Sequence, residues 1–336
     1  MKNKILITGA SGFIGSFLVE EALKKGFEVY AAIRSTSSKQ FLQDKRIHFV
    51  ELDFSSEKLL IQELTAFKLT EGDPDYVIHN AGITQAKKKE DFFTVNCTNT
   101  KNLVHALHAC GIKLKKFVLI SSLAAYGPGN PQSFAHITSS HQQYPISDYG
   151  KSKLYAEEFI RACNLFPYLI INPTAVYGPR DKDFLQFIQL VNKGIEPYIG
   201  FGKQMVSVVY VKDLASVIIQ STSSIIINRS YIVSDRMDYN KEQIGYAVKS
   251  VLHKKTFKIK IPSSFLSGIL SVVEKIYQFF GAGIPFLNKQ KVKEISSANW
   301  LCDSKEIWND NNVSPDYVLE KGMNEAIAWY KANKWL

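Results

Sequence analysis

Cysteine is scarce in this chain. Four residues in 336, Cys97, Cys110, Cys163 and Cys302, stand far apart and form no C-x-x-C pair. That spacing excludes a zinc knuckle and a disulfide framework. It fits reduced, structural thiols in a cytoplasmic protein with no bound metal. No run of about 18 apolar residues occurs, so a membrane-spanning helix is not expected. The opening MKNKILITGASG passes straight into a strand and a glycine turn, so no signal peptide is expected. Arginine is also sparse: of 41 basic residues 35 are lysine and six arginine. The net charge of +10 thus rests on scattered lysines, and the densest run, Lys87-Lys88-Lys89, is followed at once by Glu90-Asp91. Nucleic-acid readers favour arginine interleaved with aromatics, so nucleic acid is not an expected partner. Solvated surface charge is the plain reading, and a mild attraction to anionic ligands or lipid headgroups is the alternative.

Apolar residues make up 46% and charged residues 21%, the profile of a folded globular chain long enough for one large or two coupled domains. The first half alternates short apolar runs with helical patterns, which predicts a parallel sheet covered on both faces. Strands are expected at Ile5–Thr8, Val29–Ile33, Ile47–Leu52, Tyr76–His79, Phe117–Ser121 and Tyr168–Asn172, with helices after Gly12, Phe92 and Tyr149. Right-handed crossovers make this an α/β, Rossmann-type doubly wound sheet. Beyond Gly178-Pro179, strands at Val206–Val211 and Tyr231–Val233 could return to the sheet, and the chain from about Asn240 reads as mostly helical. The expected division is a dinucleotide domain of residues 1–176 plus about 204–235. A small substrate domain would take about 177–203 plus 236–336.

Thr8-Gly9-Ala10-Ser11-Gly12-Phe13-Ile14-Gly15 follows an apolar strand and opens a helix. The glycines permit a tight turn, close approach of a pyrophosphate and packing of helix on strand. The first amides of the helix, with its dipole, would meet the phosphates. The second strand of such a unit usually ends in Asp or Glu for the ribose 2′-hydroxyl of NAD. Here Ile33 is followed by Arg34, Ser35-Thr36-Ser37-Ser38 and Lys39, which favour the 2′-phosphate of NADP, with NAD the alternative. Asp53 could accept from the adenine amino group with Phe54 beside the ring, and Asn80-Ala81-Gly82 would let backbone pass close to the cofactor. His79 reads as a buried strand histidine, and His105 and His108 as surface or interface residues.

Tyr149 and Lys153 form a Y-x-x-x-K pair on one helix face. A lysine so placed can lower the phenol pKa and make Tyr149 an acid/base, while also binding ribose. Ser122, just past the fifth strand, can donate to the substrate oxygen at the sheet edge where ligands bind.

In their order these features resemble the extended short-chain dehydrogenase/reductase superfamily, often called the NAD-dependent epimerase/dehydratase family. The resemblance runs from the glycine turn through Asp53, Asn80-Ala81-Gly82, Ser122, Tyr149/Lys153, Asn172 to Arg180 and Val211-Lys212-Asp213-Leu214 to the C-terminus. It implies Ser122, Tyr149 and Lys153 as catalytic residues, and Pro173, Ala175 and Val176 beside the nicotinamide. Asn96 matches a recurring active-site asparagine, although Asn99 replaces the glycine of N-x-x-G-T. The resemblance also implies a homodimer built on the helices that open near Phe92 and Tyr149. Leu103, Val104, Leu107, Leu154, Phe159 and Ile160 supply apolar side chains that are not all expected to face one sheet.

Departures from the family pattern narrow the chemistry. Leu123-Ala124 stand where dehydratases of this family carry Asp-Glu, which removes the carboxylates for water elimination. Val206, Asn172 and Trp300 stand at or near positions where nucleotide-sugar enzymes carry arginines, which argues against a diphosphate site. The apolar 262–280 stretch has helical spacing and reads as a core helix, a pocket wall or a membrane-surface helix. This resembles the branch of dihydroflavonol reductases and 3β-hydroxysteroid dehydrogenases. The expected activity is interconversion of a ketone and a secondary alcohol on a small substrate. A nucleotide-sugar 4-epimerase and a non-catalytic dinucleotide sensor are the alternatives.

Overall fold

The computed structural model describes residues 2–266, 268, 270 and 289–336. In chain order the strands are β1 (Lys4–Thr8), β2 (Glu28–Ile33), β3 (Ile47–Glu51), β4 (Tyr76–His79), β5 (Lys116–Ile120), β6 (Tyr168–Pro173) and β7 (Ala175–Tyr177). They continue with β8 (Ile195–Ile199), β9 (Met205–Val206), β10 (Val208–Tyr210), β11 (Arg229–Val233), β12 (Tyr239–Asn240), β13 (Phe257–Ile261) and β14 (Asn299–Trp300). The helices used below are α1 (Phe13–Lys24), α2 (Glu57–Glu71), α3 (Lys89–Phe93), α4 (Asn99–Ala109), α5 (Asp148–Cys163), α6 (Lys182–Asn192), α7 (Val211–Ser223) and α8 (Lys241–Leu252).

Seven parallel strands form the main sheet in the order β11-β6-β5-β4-β1-β2-β3. β1, β5 and β6 are almost continuously buried, because helices cover both faces and leave no side of the strand to water. One face packs α1 and α7 through Phe17, Leu18, Val217 and Ile218; the other packs α2, α4 and α5 through Leu60, Leu64, Leu103 and Ile160. The strand order reverses between β1 and β4, the crevice where ligands of such sheets bind.

One expectation about the second half needs correction. Val206–Val211 is not one strand and does not rejoin the main sheet: β9 pairs with β12 and β14, β10 pairs with β7, and α7 begins at Val211. The fully buried Ser207 sits at the break, with its carbonyl taken by Thr174 Oγ1 at 2.7 Å and its hydroxyl by the Cys302 amide at 3.2 Å. Only β11 returns to the sheet. The chain after Asn240 also carries strands, β13 and β14, beside its helices. Most of the 262–280 stretch lies outside the described residues.

The apolar surplus on α4 and α5 is also corrected. Leu103, Val104, Leu107 and Ile160 are all buried within this chain's own core, so they supply no interface.

After β14 the chain crosses back. Ile307 and Trp308, in the short helix Lys305–Asp310, enter the core under α1 and α7, and the Trp308 indole N–H donates to the Ser234 carbonyl at 3.0 Å. The helix Leu319–Ala332 then joins α6 and α8 in a separate cluster around Tyr177 and Tyr210. Trp308→Ala removes a large side chain that is 2% exposed and orphans that carbonyl. It should cost about 3–5 kcal/mol in urea unfolding; a loss below about 1 kcal/mol would show that the segment is not part of the sheet's core.

Candidate active site

The glycine turn is enforced by contact. Gly9 has φ +64°, and a Cβ there would lie 2.7 Å from the Ala81 amide nitrogen; a Cβ on Gly15 would lie 2.0 Å from the Gly9 carbonyl oxygen. The turn therefore touches the end of β4, and Asn80 Nδ2 donates to the Gly9 carbonyl at 3.3 Å. Gly12 begins α1 without a side-chain cap, so Phe13 and Ile14 open the helix with amides that no side chain from the cap position satisfies. Ser11 lies in the turn. A tight, uncapped helix start fits a dinucleotide pyrophosphate.

Arg34 follows β2 and is exposed, with its amide donating to Ser37 Oγ at 3.0 Å and no ion pair of its own among the described residues. Asp53 follows β3, also exposed. The Ser55 hydroxyl, and then the Ser55 amide that donates to it at 2.9 Å, hold its carboxyl pKa below the usual carboxylate range. The Phe54 ring stands 5.9 Å from that of His79.

His79 is buried, as the strand position implies. Thr100 gives its one proton to the Asn96 carbonyl and so receives the Nε2 proton (3.0 Å). That fixes the neutral Nε2–H form, whose Nδ1 accepts from the Thr8 hydroxyl at 2.8 Å, while the same hydroxyl accepts from the Ala81 amide. Burial pushes the imidazole pKa down to about 3.

Asn96 sits in a π-helical turn, Thr94–Thr98, between α3 and α4. Its Oδ1 accepts from the Ile83 amide at 2.8 Å, and its Nδ2 donates to the Ile83 carbonyl at 3.0 Å and to Ser152 Oγ at 2.9 Å. The side chain ties the loop after β4 to α5. A Cβ on Gly82 would lie 2.9 Å from Asn96 Oδ1 and 3.2 Å from Lys153 Nζ, so these three positions converge.

Ser122 stands two residues past β5 and caps the short 3₁₀ turn Leu123–Ala125, accepting from the Ala124 amide at 3.1 Å. α5 begins at Ser147, whose hydroxyl accepts from the Gly150 amide at 3.0 Å. Any Cβ at Gly150 would come within 2.3 Å of the Ala124 carbonyl, so that glycine lets α5 lie against the Ser122 turn. Tyr149 is thereby brought to Ser122. Burial pushes its phenol up to about 12, Glu294 and Asp183 add to this, and the Ser122 hydroxyl opposes it.

Lys153 Nζ donates to the Ile120 carbonyl at 2.8 Å, and burial lowers its pKa to about 8 against the raising influence of Glu157. Burial, not the lysine, governs the free phenol. Pro173 closes β6, while Ala175 and Val176 open β7 just past the sheet edge.

Glu157 was missed in the sequence. It lies one helical step past Lys153, with Arg161 a step further, so the i, i+4 spacing of Tyr149-Lys153-Glu157-Arg161 was the available signal. The carboxylate is fully buried. It accepts from Ser121 Oγ, from Asn172 Nδ2 at 2.5 Å, and from Gln143 Nε2 and Arg161 at 2.8 Å each. Asn172 also donates to the Ser122 carbonyl at 3.1 Å. Position 172 is therefore inside the sheet, and its lack of arginine says nothing about a diphosphate, which corrects the sequence argument. All four partners donate, so Glu157→Gln would turn an NH₂ group toward donors. That variant should lose about 3–5 kcal/mol of stability by urea unfolding, as for a broken buried pair; a neutral result would contradict the network.

The model of one protein family, the NAD dependent epimerase/dehydratase family, matches residues 5–231. The ceramide reductase of Caulobacter vibrioides is 25% identical, over 99% of this chain and 96% of its own. The N-acetyl-alpha-D-glucosaminyl-diphospho-ditrans,octacis-undecaprenol 4-epimerase of Escherichia coli O157:H7 is 25% identical, over 98% and 96%. The crystal structure of UDP-glucose 4-epimerase from Thermotoga maritima superposes with a TM-score of 0.76 at 20% identity, covering 98% of this chain and 99% of that one. With the family model spanning sheet, glycine turn and tyrosine helix alike, the chain belongs to the NAD dependent epimerase/dehydratase family.

Proposed function

We propose that the protein is an NAD(P)-dependent oxidoreductase that interconverts a ketone and a secondary alcohol on a substrate with a substantial apolar part. The observation that carries this reading is the Tyr149 phenol, hydrogen-bonded to the Ser122 hydroxyl at the C-terminal edge of the sheet. A bound dinucleotide supplies hydride exchange with the substrate carbon. Tyr149 gives its proton to the substrate oxygen, and Ser122 donates a hydrogen bond to that same oxygen. Lys153 holds ribose hydroxyls, and Asn96 positions its neighbours rather than touching substrate.

Gly9, Ser11, Gly12, Phe13, Ile14 and Gly15 hold the pyrophosphate. Asp53 and Phe54 take the adenine, and Asn80, Ala81 and Gly82 line the passage between turn and site. Pro173, Ala175 and Val176 flank the nicotinamide. Arg34, with the serines after it, selects NADP over NAD.

Two arguments support an apolar substrate. The Caulobacter and Escherichia relatives act, by their names, on lipid-bearing molecules. Of the three guanidinium groups in the second half, Arg180 is committed to Ser16 and Glu20 on α1, Arg229 to Asp310 and Glu306, and the exposed Arg236 alone has no ion pair among the described residues. Val206 pairs directly with Trp300, an apolar patch where a diphosphate clamp would be needed. The division at 1–176 plus about 204–235 against 177–203 plus 236–336 then separates cofactor from substrate contacts. The protein is a cytoplasmic homodimer on this reading, joined through α4 and α5, where Tyr155 is exposed.

The UDP-glucose 4-epimerase names among the relatives favour a second reading, a nucleotide-sugar 4-epimerase using the same three residues. A panel of ketones and alcohols followed at the reduced-nicotinamide absorbance, together with UDP and dTDP sugars in a product-configuration assay, separates the two. Turnover of an apolar ketone supports the reductase. Micromolar binding and inversion of a nucleotide sugar overturns it.

Tyr149→Phe should lower turnover at least ~10²-fold while dinucleotide binding, followed by fluorescence, stays unchanged. Wild-type protein should bind NADPH more tightly than NADH, and Arg34→Asp should reverse the order by a change of about tenfold or more, through loss of a charge-assisted contact. Tighter NADH binding by the wild type would refute the role of Arg34.

A further inference from the structure

An unbroken chain of hydrogen bonds runs from the glycine turn to the tyrosine helix, with His79 as its middle link. Thr8 ends β1 and immediately precedes Gly9, and its hydroxyl donates to His79 Nδ1 at 2.8 Å. On the other side of the ring, Nε2 donates to Thr100 Oγ1 on α4 at 3.0 Å, and Thr100 donates to the Asn96 carbonyl at 2.8 Å. The Asn96 side chain carries the chain onward. Its Nδ2 donates to Ser152 Oγ at 2.9 Å, and the Ser152 hydroxyl donates to the Tyr149 carbonyl at 2.7 Å. The last acceptor therefore belongs to the residue that bears the catalytic phenol.

Packing alone does not account for a histidine here. The rest of β4 is the buried run Tyr76-Val77-Ile78, and the imidazole lies 5.9 Å from the Phe54 ring and 6.1 Å from the Phe117 ring, surroundings that would take an apolar side chain at less desolvation cost. What the ring adds is one acceptor and one donor pointing to opposite sides, and burial keeps it in that neutral form. Thr8, His79, Asn96, Thr100 and Ser152 are all buried, so a broken link would not be repaired by bulk water. A second tie, from Asn80 Nδ2 to the Gly9 carbonyl at 3.3 Å, joins the turn to the end of β4 but reaches neither α4 nor α5.

We propose that His79 is a positioning residue that couples the phosphate turn to the catalytic helix, so that a nucleotide held by the Gly9–Gly15 turn orders the first turns of α5 around Tyr149 and Lys153. The inference rests on the dinucleotide reading of the glycine turn, and not on which carbonyl compound is reduced. Glu157 holds α5 against β5 and β6, whereas this chain holds it against β1 and the loop after β4. The two attachments are independent. The second one alone begins at the residue next to the turn, so it is the route by which occupancy of the turn reaches the acid.

The test uses the whole protein and ADP, which has the adenine and pyrophosphate of the dinucleotide but no nicotinamide ribose to touch Tyr149 or Lys153. With ADP binding followed by calorimetry, the nucleotide should slow amide hydrogen exchange in residues 148–156 of the wild type by about fivefold or more. His79→Phe keeps a ring in the same space and removes both bonds; it should still bind ADP and lose the slowing. By length, His79→Asn can accept from Thr8 but falls short of Thr100, and His79→Gln does the reverse, so a continuous chain predicts the loss in each. Circular dichroism, and exchange in α8 away from these bonds, should match the wild type in all three. Slowing retained in any folded variant would overturn the proposal, as would its absence from the ADP-bound wild type. A wild type that binds no ADP would overturn the dinucleotide reading, and the proposal with it.

Discussion

A buried carboxylate needs compensation, and the way Glu157 obtains it fixes the geometry of the catalytic edge. Its partners come from three places: Ser121 at the end of β5, Asn172 in β6, and Gln143 and Arg161 beside and on α5. Each hydrogen bond locates α5 against the C-terminal ends of β5 and β6. Once the helix is held there, its i−4 and i−8 residues, Lys153 and Tyr149, must point at the Ile120 carbonyl and the Ser122 turn. The penalty for leaving this carboxylate unpaired is what makes the register of α5 non-negotiable.

The first half of the fold was legible because its strands are buried on both faces and its turns carry their own chemistry. Six expected strands appear within a residue or two of the observed ends, and the Gly9–Gly15 turn is required by contacts that admit no Cβ. The second half was less legible. Its strands have two to five residues and pair with partners distant in sequence, as β9 does with β14, so no local period announces them. Ser207 breaks an apolar run through two long-range hydrogen bonds, which sequence pattern cannot register.

The site was readable in its residue types and misread in its environment. Family resemblance located Ser122, Tyr149 and Lys153, and the fold brings the first two together. What sequence could not give was burial. Asn172 was weighed as a missing phosphate clamp, yet it serves Glu157 inside the sheet. Leu103, Val104 and Leu107 were weighed as interface residues, yet they close the chain's own core. Each error treated a side chain as free to act where packing had already committed it.

Burial of the phenol depends in turn on the C-terminal chain. Gln290 exchanges hydrogen bonds with Asp148 at 2.7 and 2.6 Å, and Glu294 accepts from Ser147, so the segment closes over the first turn of α5. The Trp300 indole donates back to the Glu294 carbonyl at 2.8 Å, which keeps the cover in one piece. A few residues on, Trp308 is locked into the core beneath α1, and the helix Leu319–Ala332 into the cluster around Tyr177. The cover is therefore anchored at its far end by two separate cores. It brings Glu294 toward the phenol, and both its carboxylate and the exclusion of water oppose ionisation of Tyr149. The raised phenol pKa is thus a property of the closed chain as a whole, assembled from a helix near the middle of the sequence and a strap near its end.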